Sequence, residues 1–178
     1  MGKYSYLIAL VITVLLLAGC GGNDEEALSI YMFGDVPRDQ EDSIRALIED
    51  ELGKLGEELH ISIESAQHER ILVILAANEG DVYFINEQQA QVFFDPVGLT
   101  PLDDRFEAAN IEGSEAYTVV NEATGDEELL ALPINEDTYF IDELQINLAN
   151  DMVAFVDKRS EQIELSKDIL KVLYEGRP

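Results

Sequence analysis

The chain has 178 residues, with 37 Asp or Glu against 11 Lys or Arg and a formal net charge of −26. A surface that acidic repels nucleic acid and anionic lipid, and no basic stripe is present to neutralise phosphates. Apolar residues make up 47 %, enough for a packed core and against wholesale disorder.

The chain opens with one cation, Lys3, then an apolar stretch from Tyr6 to Leu17, then Leu17-Ala18-Gly19-Cys20. A positive start, an apolar core and small residues before a cut describe a signal peptide over residues 1–19. Cys20 is the only cysteine and stands first after that cut. The passage resembles the lipobox of bacterial lipoproteins. That resemblance implies diacylglycerol on the Cys20 sulfur and a protein held on the extracytoplasmic side of the cell membrane. The alternative is an uncleaved anchor, since the apolar stretch approaches the ~20 residues that span a bilayer. Cleavage leaves about 159 residues, one domain's worth, and removes Lys3, so the charge becomes more negative still. With Cys20 acylated no thiol remains for a disulfide.

Residues 20–27 read as a lipidated polar tether and 28–178 as one domain. Leu28–Phe33 alternates and is rich in β-formers, so it reads as a strand ending at Gly34-Asp35. Pro37 and Asp39 mark a helix start, with Asp39 as N-cap and Gly56 as the stop. His60–Glu64 is a second strand. A second helix runs from His68 to about Asn78, with Gly80 closing it. Asp81–Ile85 is a continuous apolar run, the mark of a strand covered on both faces. Glu87–Phe94 is a helix or turn. Strand and helix alternating at these lengths predict parallel pairing with right-handed crossovers.

Further on, Tyr117–Val120 and Glu128–Pro133 read as strands about a turn at Glu122–Asp126. Residues 136–150 have no decisive pattern. Met152–Val156 is a strand, and Ser160 caps a last helix whose apolar face is Leu165, Ile169, Val172 and Leu173, ending at Gly176. The expected architecture is α/β: a three-layer open mixed sheet with helices on both faces.

Four passages, in this order, carry a resemblance: Ala76–Tyr83, Gly98–Asp104, Glu128–Ile134, and Met152–Ser160 with the helix after it. Together they resemble the extracytoplasmic solute-binding proteins of ABC importers, with the type 2 periplasmic-binding fold, reduced here to one lobe. The family leaves its first lobe after the Leu-Pro-Ile strand and builds a second before returning. Here only residues 135–151 stand between those points. The chain also lacks Trp, the stacking platform of sugar-binding members. The resemblance implies recognition of a small solute or a protein partner, an ABC permease or another lipoprotein, in connection with uptake. The alternative is a structural or interaction lipoprotein that kept the fold without ligand binding.

In open α/β sheets ligands meet the carboxyl ends of the strands. That rule selects Asp35, Gln67, His68, Asn86, Glu87, Asn135 and Glu136 as ligand-binding candidates. The same residue types also serve as helix caps. Two histidines without ligand spacing and no Asp-x-Asp-x-Asp-Gly loop predict no metal site. The sequence has no phosphate loop, nucleophile elbow or dinucleotide fingerprint, so neither cofactor nor catalysis is expected. The acids are scattered through nearly every segment. That scatter fits a saline or alkaline exterior better than a built cation trap.

Overall fold

Side-chain alternation along the strands divides the core in two. A computed structural model describes residues 27–55 and 58–176; the signal peptide, Cys20, most of the tether and the Gly56 stop lie outside the described residues. Strand β1 (Leu28–Phe33) sends Leu28, Ile30 and Met32 to one face and Tyr31 and Phe33 to the other, all buried. Successive Cβ atoms point to opposite faces, so a run buried throughout needs a helical layer on each side.

The layers follow from the crossovers. Helix α1 (Glu41–Leu52) links β1 to β2 (Leu59–Glu64), and α2 (His68–Ala77) links β2 to β3 (Val82–Asn86). Both β2 and β3 pair with β1 in parallel, Leu28 opposite Leu59 and Ile30 opposite Val82. After α3 (Glu87–Phe93) come three short 3-10 turns and a hairpin, β4 (Thr118–Val120) and β5 (Glu127–Leu129). Strand β6 (Leu132–Ile134), helix α4 (Tyr139–Glu143), strand β7 (Met152–Val156) and helix α5 (Ile163–Glu175) complete the described chain. The main sheet has the order β2-β1-β3-β7-β6, with β7 antiparallel to both neighbours. Ile44 and Ile48 of α1, Phe140 of α4 and Ile169, Leu170 and Leu173 of α5 cover one face. Ile71 and Ile74 of α2 and Ala90 of α3 cover the other. This is the expected three-layer α/β arrangement with helices on both faces.

Several local expectations are corrected. Asp39 is not an N-cap: Arg38–Gln40 forms a 3-10 turn and α1 starts at Glu41 behind Gln40, without a side-chain cap. Helix α1 stops at Gly53, whose φ of 85° suits glycine. Helix α2 is ended by Asn78, left-handed at φ 55°, while Gly80 answers a packing need. A Cβ there would stand 2.7 Å from Tyr31 Cδ2 and 2.8 Å from Tyr83 Cζ. The apolar run Glu128–Pro133 is two strands, because Leu130 and Ala131 carry the chain from the hairpin to the main sheet. Asp103 holds that crossing, its carboxylate accepting from the Leu129 N–H at 3.0 Å. Ser160 lies ahead of α5, its Oγ accepting from the Gln162 N–H at 3.0 Å.

Candidate functional site

The seven predicted residues lie along the carboxyl edge of the sheet, as the strand directions require. From β2 to β6 is four strand spacings, about 19 Å, too far for one small solute to touch them all. Most of their polar groups already have local work. Asn86 Oδ1 accepts from the Gln88 N–H at 3.1 Å and caps α3. Asn135 Oδ1 accepts from the Asp137 N–H at 3.1 Å, and the Asn135 N–H donates to Thr138 Oγ1 at 3.0 Å.

Glu87 is bound from two directions: its N–H donates to the Asp151 carbonyl at 2.9 Å and its carboxylate accepts from the Tyr117 hydroxyl at 3.3 Å. Burial, reinforced by the Glu87 charge, pushes the Tyr117 phenol up to about 12. The His68 ring packs on Phe93 with centroids 4.9 Å apart. The Gln67 N–H donates to the Ser65 carbonyl at 2.7 Å, and its side chain makes no cap bond to α2. Asp35 and Glu136 are exposed.

The strand ends are also covered. Met152 is buried, and a Cβ on Gly34 would fall 2.7 Å from its Cε atom, so this side chain lies over the end of β1. Beside Asn135, Thr138 and Tyr174 a recess of about 150 Å³ remains. The carboxyl edge therefore brings the predicted residues into one row, and the recess beside Asn135 takes in none of the other six.

The larger concavity lies at the opposite edge. There the start of β1, the turn before β3 and the turn after β7 border a recess of about 510 Å³, lined among others by Ser29, Tyr31, Asn78, Glu79, Arg159 and Gln162. Asp81 fastens it. One carboxylate oxygen accepts from the Ser29 N–H at 2.7 Å and the other from the Ser160 hydroxyl. The Asp81 N–H donates to the Ser29 carbonyl at 2.8 Å, and its carbonyl accepts from the Asp157 N–H at 2.9 Å. One residue thus ties the entries of two strands to the turn before α5.

Arg159 completes the arrangement. Its guanidinium grips the buried Asp157 through Nε at 2.9 Å and a terminal nitrogen at 2.6 Å, and donates to the Leu75 carbonyl at 2.8 Å. The Asp157 hydrogen bonds hold Arg159 above its ordinary pKa. Tyr31 OH donates toward Glu79 at 3.4 Å, and its phenol is raised by burial and by that carboxylate. Tyr83 OH accepts from the Gly80 N–H at 2.9 Å, with its phenol raised by burial.

Chemically the recess offers fixed hydrogen-bond donors and acceptors. Among the described residues no group of three or more His, Cys, Asp or Glu is placed to hold a metal ion. The strand-end rule pointed to the other edge, so sequence reasoning missed this recess. The available signal was Asp81 itself, an acid heading an otherwise apolar strand.

Comparison with known proteins yields one informative likeness. No known family profile matches the chain, and no solved structure matches it significantly. The chain is 26 % identical over 170 residues, 96 % of its length and 95 % of the relative's, to a Bacillus subtilis (strain 168) protein described as "Putative lipoprotein YteS". This supports a bacterial lipoprotein and carries nothing about a solute or a transporter. Among the described residues no helix is long and apolar enough to cross a membrane.

Proposed function

We propose that the chain is a lipid-anchored lipoprotein of the outer face of a bacterial cell membrane. In this reading it has no catalytic activity and works by recognising a protein partner beside an ABC-type importer. The observation that carries the reading is the carboxyl edge, where Asn86, Glu87, Asn135 and Met152 serve the fold and the recess beside Asn135 measures about 150 Å³. Solute capture by domain closure buries most of a ligand between two walls. Residues 135–151 form one short helix and loops between β6 and β7, too little chain for a second wall. A protein partner needs no enclosing cleft. Anchoring is supported by Leu17-Ala18-Gly19-Cys20 and by the likeness to a relative described as a lipoprotein.

A second reading rests on the amino-edge recess, whose volume of about 510 Å³ lies within the ~300–1,000 Å³ usual for small-ligand sites. Cross-linking the full-length protein in its native membrane, with a thermal-shift screen of the purified lipoprotein against sugars, amino acids and oligopeptides, separates the two. The partner reading expects a cross-link to a permease subunit and an unchanged Tm with every solute. A solute that raises Tm, with the rise abolished by Glu79→Ala, would replace it with the second reading. Neither a cross-link nor a shift would overturn both.

A further inference from the structure

We infer that the α2/α3 layer is a membrane-docking face, lying against the bilayer that holds the Cys20 anchor. The inference rests on the anchoring part of the function proposed above and adds an orientation. Its first support is a gap in the charge pattern. In a chain with 37 acids, residues 71–78, 88–94 and 96–102 contain no charged residue at all. These segments form most of α2, most of α3 and the 3-10 turn after it. On the opposite layer, α1 alone carries Glu41, Asp42, Glu49, Asp50 and Glu51.

The uncharged segments also expose apolar side chains. Leu72 and Val73 on α2 are 52 % and 55 % exposed, Val92 on α3 is 67 % exposed and Val97 is 79 % exposed. Val97 also borders a groove of about 440 Å³ whose walls combine the apolar Leu75, Phe93, Leu99 and Phe155 with Asp95, Asp157, Lys158 and Arg159 at its rim. Leu72 stands one helical turn before Leu75 and shares its side of α2. Isolated apolar residues on a surface need no explanation, whereas a contiguous set marks an interaction site. Here Leu72, Val73, Val92 and Val97 all fall within the three uncharged segments.

The tether identifies the occupant. Cys20 precedes Ala27 by seven residues, about 25 Å when fully extended. Ala27 borders the same recess as Asn78, the residue that ends α2, and that recess shares Arg159 with the apolar groove. Val73 lies four residues before the end of α2, about 6 Å along the helix axis. The anchor therefore delivers this layer to the headgroups with chain to spare. A body of this charge is repelled by an anionic leaflet over roughly a Debye length, so the side with the longest uncharged segments makes the least costly approach. Apolar side chains on a helix surface then settle at the boundary between headgroups and acyl chains.

The test uses the full-length lipoprotein in phosphatidylcholine vesicles, with single cysteines introduced as Val73→Cys, Val97→Cys or Glu143→Cys and labelled with an environment-sensitive fluorophore. The native thiol is acylated and takes no label. Brominated lipid is expected to quench labels at 73 and 97 at least threefold more than the label at 143 on α4. Adding Leu72→Glu and Val92→Glu should bring position 97 down to the level of 143. Equal quenching at all three positions overturns the inference. So does shielding at 73 and 97 without quenching and with disulfide-linked Val73→Cys dimers, which would assign the face to a second copy. The mass of the N-terminal lipopeptide reads the anchor separately: wet labels beside an acylated Cys20 overturn the docking alone, and an unacylated Cys20 overturns anchor and orientation together.

Discussion

The two edges of the sheet are built from similar residue types and used in opposite ways. At the carboxyl edge the strand-end asparagines serve their own loops, Asn86 capping α3 and Asn135 closing a turn, while the Met152 side chain lies over the end of β1. At the amino edge Asp81 and Arg159 reach across the sequence and join segments up to 84 residues apart. Local capping settles a helix end and leaves its neighbours independent. Long-range clamping makes three turns into one unit. The difference predicts where the fold is brittle.

The sharpest way to break this contrast is Asp81→Ala. It removes two hydrogen bonds to a carboxylate, each worth about 1.5–3 kcal/mol, so a loss of about 4 kcal/mol is expected in urea unfolding at neutral pH. A loss below about 1 kcal/mol would mean the amino edge is no clamp at all.

A glycine pair tests the same point with packing alone. Gly80→Ala drives a methyl into the rings of Tyr31 and Tyr83, which are stacked on each other with centroids 6.1 Å apart. Overpacking of that kind costs about 2–3 kcal/mol. Gly34→Ala meets the flexible end of Met152 instead, and about 1 kcal/mol is expected because thioether side chains adapt. Equal losses would erase the distinction between a rigid edge and a yielding one.

The smallest effect is read against pH and sharpens the carboxyl edge. Tyr117 has its folded pKa raised to about 12 by burial and by Glu87, against about 10 in the unfolded chain. A raised folded pKa means its contribution is complete below pH ~10 and fades as pH climbs toward 12. At the top of that window the loss is about 2 kcal/mol, from roughly 1.4 kcal/mol per unit. Tyr117→Phe should flatten this part of the alkaline unfolding curve, with the other raised tyrosines supplying the remaining slope. An unchanged slope would show that folding does not shift Tyr117, by burial or by Glu87.

The parts legible in the sequence are those governed by local period. The runs Val82–Ile85 and Met152–Val156 have no polar interruption, Leu28–Phe33 is broken only by the half-buried Ser29, and the helices between them repeat their apolar residues at helical spacing. Together they gave the three layers. The crossing at Leu130-Ala131 was hidden because both residues are apolar inside an apolar run. Only Asp103, 26 positions away, marks the break. The candidate site was legible as a row of residue types but not as a shape. Whether Met152 covers the end of β1 depends on the sheet order, which hydrophobic periodicity does not encode. The preference for Asn78 over Gly80 as the end of α2 had the same origin, since Gly80 is fixed by two tyrosine rings from different strands.

The position of β7 bears on how such a chain assembles. Residues 152–156 pair with Val82–Asn86 on one side and Leu132–Ile134 on the other, so the penultimate element seals the middle of the sheet. A polypeptide emerging N-terminus first leaves one flank of β3 unzipped until almost all of it has emerged. Pairings between such distant segments form slowly, and an open flank invites the wrong partner meanwhile. Closure of the sheet accordingly waits for residues 152–156, and shortening the chain before Val156 should yield aggregates in place of a smaller folded core.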